Sequence, residues 1–181
     1  MTPIGRRRLF PLLVAPALTA CGFHPVYGPA ASGKDSPAAL ALAQISVALI
    51  PERNGQLLRL ALQERFERAG IAAAHQYVLN VSFGVSSEAI GIQQDSSSTW
   101  IRMVGFANYS LVSEDPTRTT LTSGLARSVD GFNQFDQQYF AYDQEADQVQ
   151  RRIAQAVADQ IAVQLASFFA KRANATAGAA G

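Results

Sequence analysis

Beyond Cys21 the chain has no cysteine, and that scarcity removes several kinds of chemistry at once. An intramolecular disulfide, a multi-thiolate metal site and a resolving thiol are all excluded. Histidine is nearly as scarce. His24 and His75 are the only two, and neither stands at metal-ligand spacing from another ligand. No Gly-x-Ser-x-Gly elbow and no glycine-rich phosphate loop occurs. Asp136, Asp143, Glu145 and Asp147 read as the acidic start of a helix, where they suit the dipole, rather than as a cation site. The chain therefore reads as a protein that is not an enzyme and carries no metal.

Charge is low too, at 16% of residues, and apolar residues make up 48%. Outside the first segment no apolar run reaches the roughly 20 residues that a spanning helix needs. That first segment has a distinct order. Arg6, Arg7 and Arg8 precede a short apolar run from Leu9 to Ala20, broken by Pro11 and Pro16. Leu18-Thr19-Ala20-Cys21 closes it with small residues and the lone cysteine. This is the order of a bacterial lipoprotein signal. Cleavage before Cys21 leaves a cysteine that carries diacylglycerol and palmitate, the covalent lipid being the only prosthetic group expected. Without Arg6 to Arg8, the 15 basic residues fall to 12 against 14 acidic ones, a net charge of −2. A general nucleic-acid binder needs a positive field, so nucleic acid is not an expected partner.

Along the chain, residues 1–20 read as signal peptide and 21–43 as acylated N-terminus and flexible tether, with loop composition at Gly28 to Lys34. The body spans 44–173. A small, polar tail at 174–181 is expected to be disordered. Ile45, Val47 and Leu49 alternate as a first strand ended by Pro51. Asn54-Gly55 then opens a helix with Leu58, Ala61, Leu62 and Phe66 on one face and Gly70 as its stop. Tyr77 to Val85 alternate as a second strand, followed by a polar loop from Ser86 to Ser98. Ile101 to Leu111 give a third strand, Glu114 to Arg118 a turn, and Leu121, Leu125 and Val129 a fourth strand. Val149, Ile153, Val157, Ile161, Leu165 and Phe168 form the stripe of a long helix from Gln144 to Phe169. The predicted fold is α+β: a two-layer sandwich, a small mixed four-stranded sheet with two helices on one face, in the order βαβββα.

With the turn centred on Pro116, Leu111 falls opposite Leu121 and Ala107 opposite Leu125. The odd apolar residues of both strands then face the helices. On the third strand the even positions, Trp100, Val104 and Phe106, make an apolar stripe that no helix remains to cover. Such a patch marks a partner surface. Arg102 lies within it, able to meet a phosphate or carboxylate. Arg127 falls on the core-facing parity and fits the pattern badly.

At Leu18-Thr19-Ala20-Cys21-Gly22-Phe23-His24-Pro25 the chain resembles the LptE family of lipopolysaccharide-assembly lipoproteins, many of which open the mature chain with Cys-Gly-aromatic-His. The element order also matches that family over nearly the whole body. The resemblance implies an outer-membrane protein on the periplasmic side, anchored by its lipid. Such a protein sits inside the β-barrel LptD, helps it assemble and plugs it during lipopolysaccharide transport. Gly22 after the cysteine agrees with an outer-membrane address. The chain departs from the enterobacterial members at positions linked to lipopolysaccharide contact. The loop before the third strand carries Gln93, Gln94 and Asp95, and the middle of the fourth strand carries Gly124. Arg102 and Arg127 are the cations left nearby. An accessory lipoprotein of a lipid ABC transporter is the alternative. A lipoprotein hydrolase is a third reading, for which the sequence offers no nucleophile–base pair.

The lipoprotein reading predicts that the mature protein labels with palmitate in cells and partitions into the membrane fraction. Cys21→Ala is expected to abolish the label, which gel fluorography of a clickable palmitate analogue reads directly.

Overall fold

A computed structural model of the chain describes residues 36–67, 74–92, 98–133 and 139–179. The signal, Cys21, the proposed stop at Gly70, the loop residues Gln93 to Asp95, and Asp136 lie outside the described residues.

The first described element is a helix where a tether is expected. Helix α1, Pro37–Ala43, begins with proline in its first turn, and the Ser36 hydroxyl caps it by accepting from the Ala39 N–H at 3.1 Å. Ala38 and Leu42, four apart, are buried. Alanine has the composition of a linker and the propensity of a helix, and here the packing of that two-residue seam decides.

Strand β1, Ile45–Val47, leads through the fully buried Ile50 to helix α2, Glu52–Glu67. This helix starts ahead of the Asn54-Gly55 pair read as its opening. Gly55 serves close approach instead: a Cβ there would lie 2.6 Å from the Ile50 Cγ2. Leu58, Ala61, Leu62 and Phe66 are buried as the spacing predicts.

Strands β2, Tyr77–Ile92, and β3, Ser98–Ser113, pair antiparallel along nearly their full lengths. The stretch from Ser86 to Ile92, read as loop, is strand. Its residues from Ser86 to Ile90 are exposed, so β3 backbone hydrogen bonds rather than burial hold it extended. The turn to strand β4, Thr120–Asn133, is built by Asp115. Its Oδ1 accepts from the Ser113 and Thr117 hydroxyls and from the Thr117 and Arg118 N–H groups. The sheet order is β1-β2-β3-β4, with β1 parallel to β2 and the rest antiparallel. The mixed four-stranded sheet of the predicted fold class is therefore present.

Helix α3, Tyr139–Ala179, is 41 residues long, about 60 Å. It begins earlier than expected and runs through most of the tail expected to be disordered. Ala173, Ala175 and Ala177 carry it on, because alanine leaves the helix with little entropic penalty. By length and composition it could cross a membrane, but half of its most apolar stretch is buried. Val149, Ile153, Val157, Ile161 and Leu165 are fully buried as predicted, whereas Phe169, not Phe168, completes the stripe.

Helices α2 and α3 run parallel over one face of the sheet. Arg53 meets Asp147 with two bonds, at 2.6 and 2.9 Å, and Arg65 meets Asp159 at 2.5 Å. The partners are equally spaced on both helices, so the two ion pairs fix one register. Exposed pairs of this kind add little stability, and alignment is their main effect. Helix α3 comes close to the sheet at Gly105 of β3, where a Cβ would stand 2.2 Å from the Ile153 Cγ2.

Two predictions follow from this packing. Gly105→Ala forces α3 off the sheet or Ile153 off its rotamer and is expected to destabilise the fold by about 2 kcal/mol in urea unfolding. The second concerns acid. The Thr117 and Ser113 hydroxyls hold Asp115 below the usual carboxylate range. Arg152 does the same for Asp130, and Arg53 for Asp147. Carboxylates depressed in the folded state stabilise it above their unfolded pKa, and the effect disappears as pH falls through the folded values. The melting temperature should therefore be flat from about pH 7 to 5 and fall below about pH 4. The Asp130→Asn, Asp147→Asn double variant should soften that fall.

Candidate partner-binding face

The face of the sheet turned away from the helices is set by pleat parity and by one irregularity. Along β3, Ile101, Met103, Ala107, Tyr109 and Leu111 are buried under the helices, so Trp100, Arg102, Val104 and Phe106 point to the other side, as expected. On β4 the expectation fails. Val112 pairs with Thr120, in the anticipated register, but Leu111 pairs with Thr122. Leu121 is one extra residue in β4, a bulge, and every side chain after it changes face. Ala107 is opposite Ala126, not Leu125, and Ala126 is buried. Leu125 and Val129 are turned outward, 69% and 52% exposed. Arg127 goes with them, which removes the misfit noted in the sequence: it faces outward, directly opposite Phe106.

The outer face thus gathers Trp100, Val104 and Phe106 from β3 and Leu125 and Val129 from β4. Ile90, 47% exposed, is the unpaired residue of a bulge near the end of β2. Val104 pairs directly with Val129. The aromatic rings are seated rather than loose. Phe106 is opposite Gly84 on β2, and a Cβ at Gly84 would come within 2.7 Å of the Phe106 Cζ. Trp100 covers Gly131 in the same way, at 2.9 Å. Glycine under each ring lets it lie along the sheet, a cross-strand arrangement that fixes the ring while leaving its upper face open.

The two arginines differ. Arg102 pairs with Glu88, its register partner on β2, at 2.5 Å. Arg127 makes no ion pair among the described residues, and its backbone is held instead by Gln160 of α3. Its N–H donates to Oε1 at 3.1 Å and its carbonyl accepts from Nε2 at 3.0 Å. Gln164 donates to the Leu125 carbonyl at 3.2 Å and accepts from the Tyr109 hydroxyl at 2.7 Å. Burial pushes the Tyr109 phenol up, so it stays a donor.

Chemically, this face can cover apolar surface on a partner and supply one uncommitted guanidinium beside it. Among the described residues no three histidine, cysteine or acidic side chains converge as a metal site would require. His75 is exposed, two residues before β2. Leu125 and Val129 were placed in the core by sequence reasoning. The one hint against that was Arg127, which shares their parity and could not be buried with them.

Comparison with known proteins agrees with this architecture. The chain matches the LptE family, described as lipopolysaccharide-assembly, over residues 42–165. Among solved structures it is similar to a lipoprotein from Caulobacter crescentus, at 21% identity and a TM-score of 0.59, covering 74% of this chain and 96% of that one. Rare lipoprotein B from Shewanella oneidensis matches at 14% identity and a TM-score of 0.53, over 68% and 94% of the two chains. A minor lipoprotein from Acinetobacter baumannii matches at 13% and 0.51, over 69% and 92%. At these identities the structures share the fold. No curated protein sequence matches. The family match spans the sheet, α2 and most of α3, and with it the chain belongs to the LptE family of lipopolysaccharide-assembly proteins.

Proposed function

We propose that the chain is a lipid-anchored outer-membrane protein that seats inside the LptD β-barrel, helps it assemble and plugs it during lipopolysaccharide transport. Membership of a lipopolysaccharide-assembly family supports the process. The observation that carries the seat is the uncovered sheet face. Phe106, Leu125 and Val129 are each about half exposed or more, on a sheet whose other face is packed under two helices. An apolar strip of this kind is stabilised by a partner that covers it. In this reading Trp100, Val104 and Phe106 contact the barrel, joined by Leu125 and Val129. Cys21 carries the lipid that holds the body at the periplasmic side of the membrane.

Lipopolysaccharide contact falls to the arginines, and their surroundings rank them. Arg102 is already neutralised by Glu88, whereas Arg127 is free to meet a phosphate next to apolar side chains that suit acyl chains. The loop with Gln93, Gln94 and Asp95 carries no cation, and Gly124 adds none, which leaves few other cations for that role.

Phe106→Asp together with Leu125→Asp tests the seat. Both side chains are exposed, so the double variant should fold, with a loss of about 1 kcal/mol or less in urea unfolding. Mature LptD in the outer membrane should fall at least tenfold, read by heat-modifiable migration on gels. Normal LptD maturation with a folded variant would move the interface off this face. Arg127→Ala should leave LptD assembly intact and weaken binding of purified lipopolysaccharide severalfold, whereas Arg102→Ala should have the smaller effect.

A further inference from the structure

The two edges of the sheet are treated differently. On the β4 edge the outward backbone groups at the centre are taken up by α3: Gln160 bonds the Arg127 N–H and C=O, and Gln164 bonds the Leu125 C=O. On the β2 edge, β1 pairs only with Tyr77 to Leu79, and the last bond is from the Ala48 N–H to the Leu79 carbonyl at 3.0 Å. Odd residues of β2 therefore turn their backbone groups to this side, and the alternation continues unbroken to Ala89. The N–H and C=O groups of Val85, Ser87 and Ala89 point away from β3 and have no partner among the described residues. Edge strands in folded proteins are usually blunted by proline, lysine, a bulge or a covering element. Here Ser86, Ser87 and Ala89 are small, uncharged and exposed, and the one charge, Glu88, is neutralised by Arg102.

We propose that the free edge of β2 from Val85 to Ala89 accepts an added strand from the protein's barrel partner: an extended, uncharged segment without proline over about five residues. This rests on the function proposed above and extends it from the outer face to a backbone-paired edge. The two surfaces are continuous, because Phe106 of the outer face lies over Gly84 on β2. A partner covering the face therefore reaches the edge beside it. The neutral strip fits a neutral segment. A second copy of this chain is the competing occupant, and the mass of the isolated protein separates the two.

Hydrogen exchange resolved to single amides, on the isolated protein and on its purified complex with LptD, tests this. The Val85, Ser87 and Ala89 amides should exchange almost freely in the isolated protein and at least a hundredfold more slowly in the complex. The Ser86 and Glu88 amides, bonded to β3, should be slow in both. If the three edge amides stay fast in an intact complex, the strand addition is wrong and the seat on the outer face stands. If no complex forms, both are wrong. If they are slow in the isolated protein and its mass is that of a dimer, the occupant is a second copy and the proposal is overturned. Ser87→Pro supplies a second readout. Proline at this edge removes only an N–H that faces solvent, so the body should keep its circular dichroism spectrum while affinity for LptD falls about tenfold. Ser87→Ala should leave affinity unchanged, and a Ser87→Pro variant that folds and binds normally contradicts the proposal.

Discussion

The structure depends on one long helix lying on one side of a sheet. Helix α3 packs against α1, α2, β3 and β4. Its fully buried seam, from Val149 to Leu165, supplies the largest continuous part of the core. The contact is close because Gly105 has no side chain where Ile153 descends. At the β4 edge the same helix reaches over with Gln160 and Gln164 and satisfies backbone groups that would otherwise be open. With every helix on this side, the opposite face of the sheet has no cover from within the described chain. An exposed apolar face is thus a consequence of the architecture and not a local accident.

What that face presents is decided by a single residue. The bulge at Leu121 turns Ala126 and Phe132 inward and Leu125, Arg127 and Val129 outward. Without it, Arg127 would lie under α3 as an unpaired buried charge, and Leu125 would be in the core. With it, two aliphatic side chains and a free guanidinium join the aromatic residues of β3. The glycines beneath Phe106 and Trp100 complete the surface by letting the rings lie flat. Burial of such preset side chains by a partner costs less ordering than recruitment of mobile ones.

Much of this was legible in the residues because much of it is periodic. The helical spacing of Leu58, Leu62 and Phe66 and of Val149 to Leu165 is a burial pattern, and burial followed it. The alternation on β3 separated inner from outer side chains correctly, which is why Trp100, Val104 and Phe106 stand where they were expected. The misses share a cause: they were set by contacts distant in sequence. Ala38 and Leu42 form a helix because α3 is there to pack on. Ser86 to Ile92 are extended because β3 pairs with them, although Ser86, Ser87, Glu88 and Gly91 break the apolar alternation that marks a strand. The bulge at Leu121 leaves no mark in composition, since Leu121 would read as an inward residue in either register. Arg127 was the only trace of it.

In the proposed complex the uncovered sheet face, and not the helical face, meets the LptD barrel. Site-specific photocrosslinking in cells addresses it most directly, with a photoreactive residue at Leu125 on the outer face and, separately, at Leu60, which is 63% exposed on α2. A strong crosslink to LptD is expected from Leu125 and little or none from Leu60. A crosslink from Leu60 with none from Leu125 would contradict it.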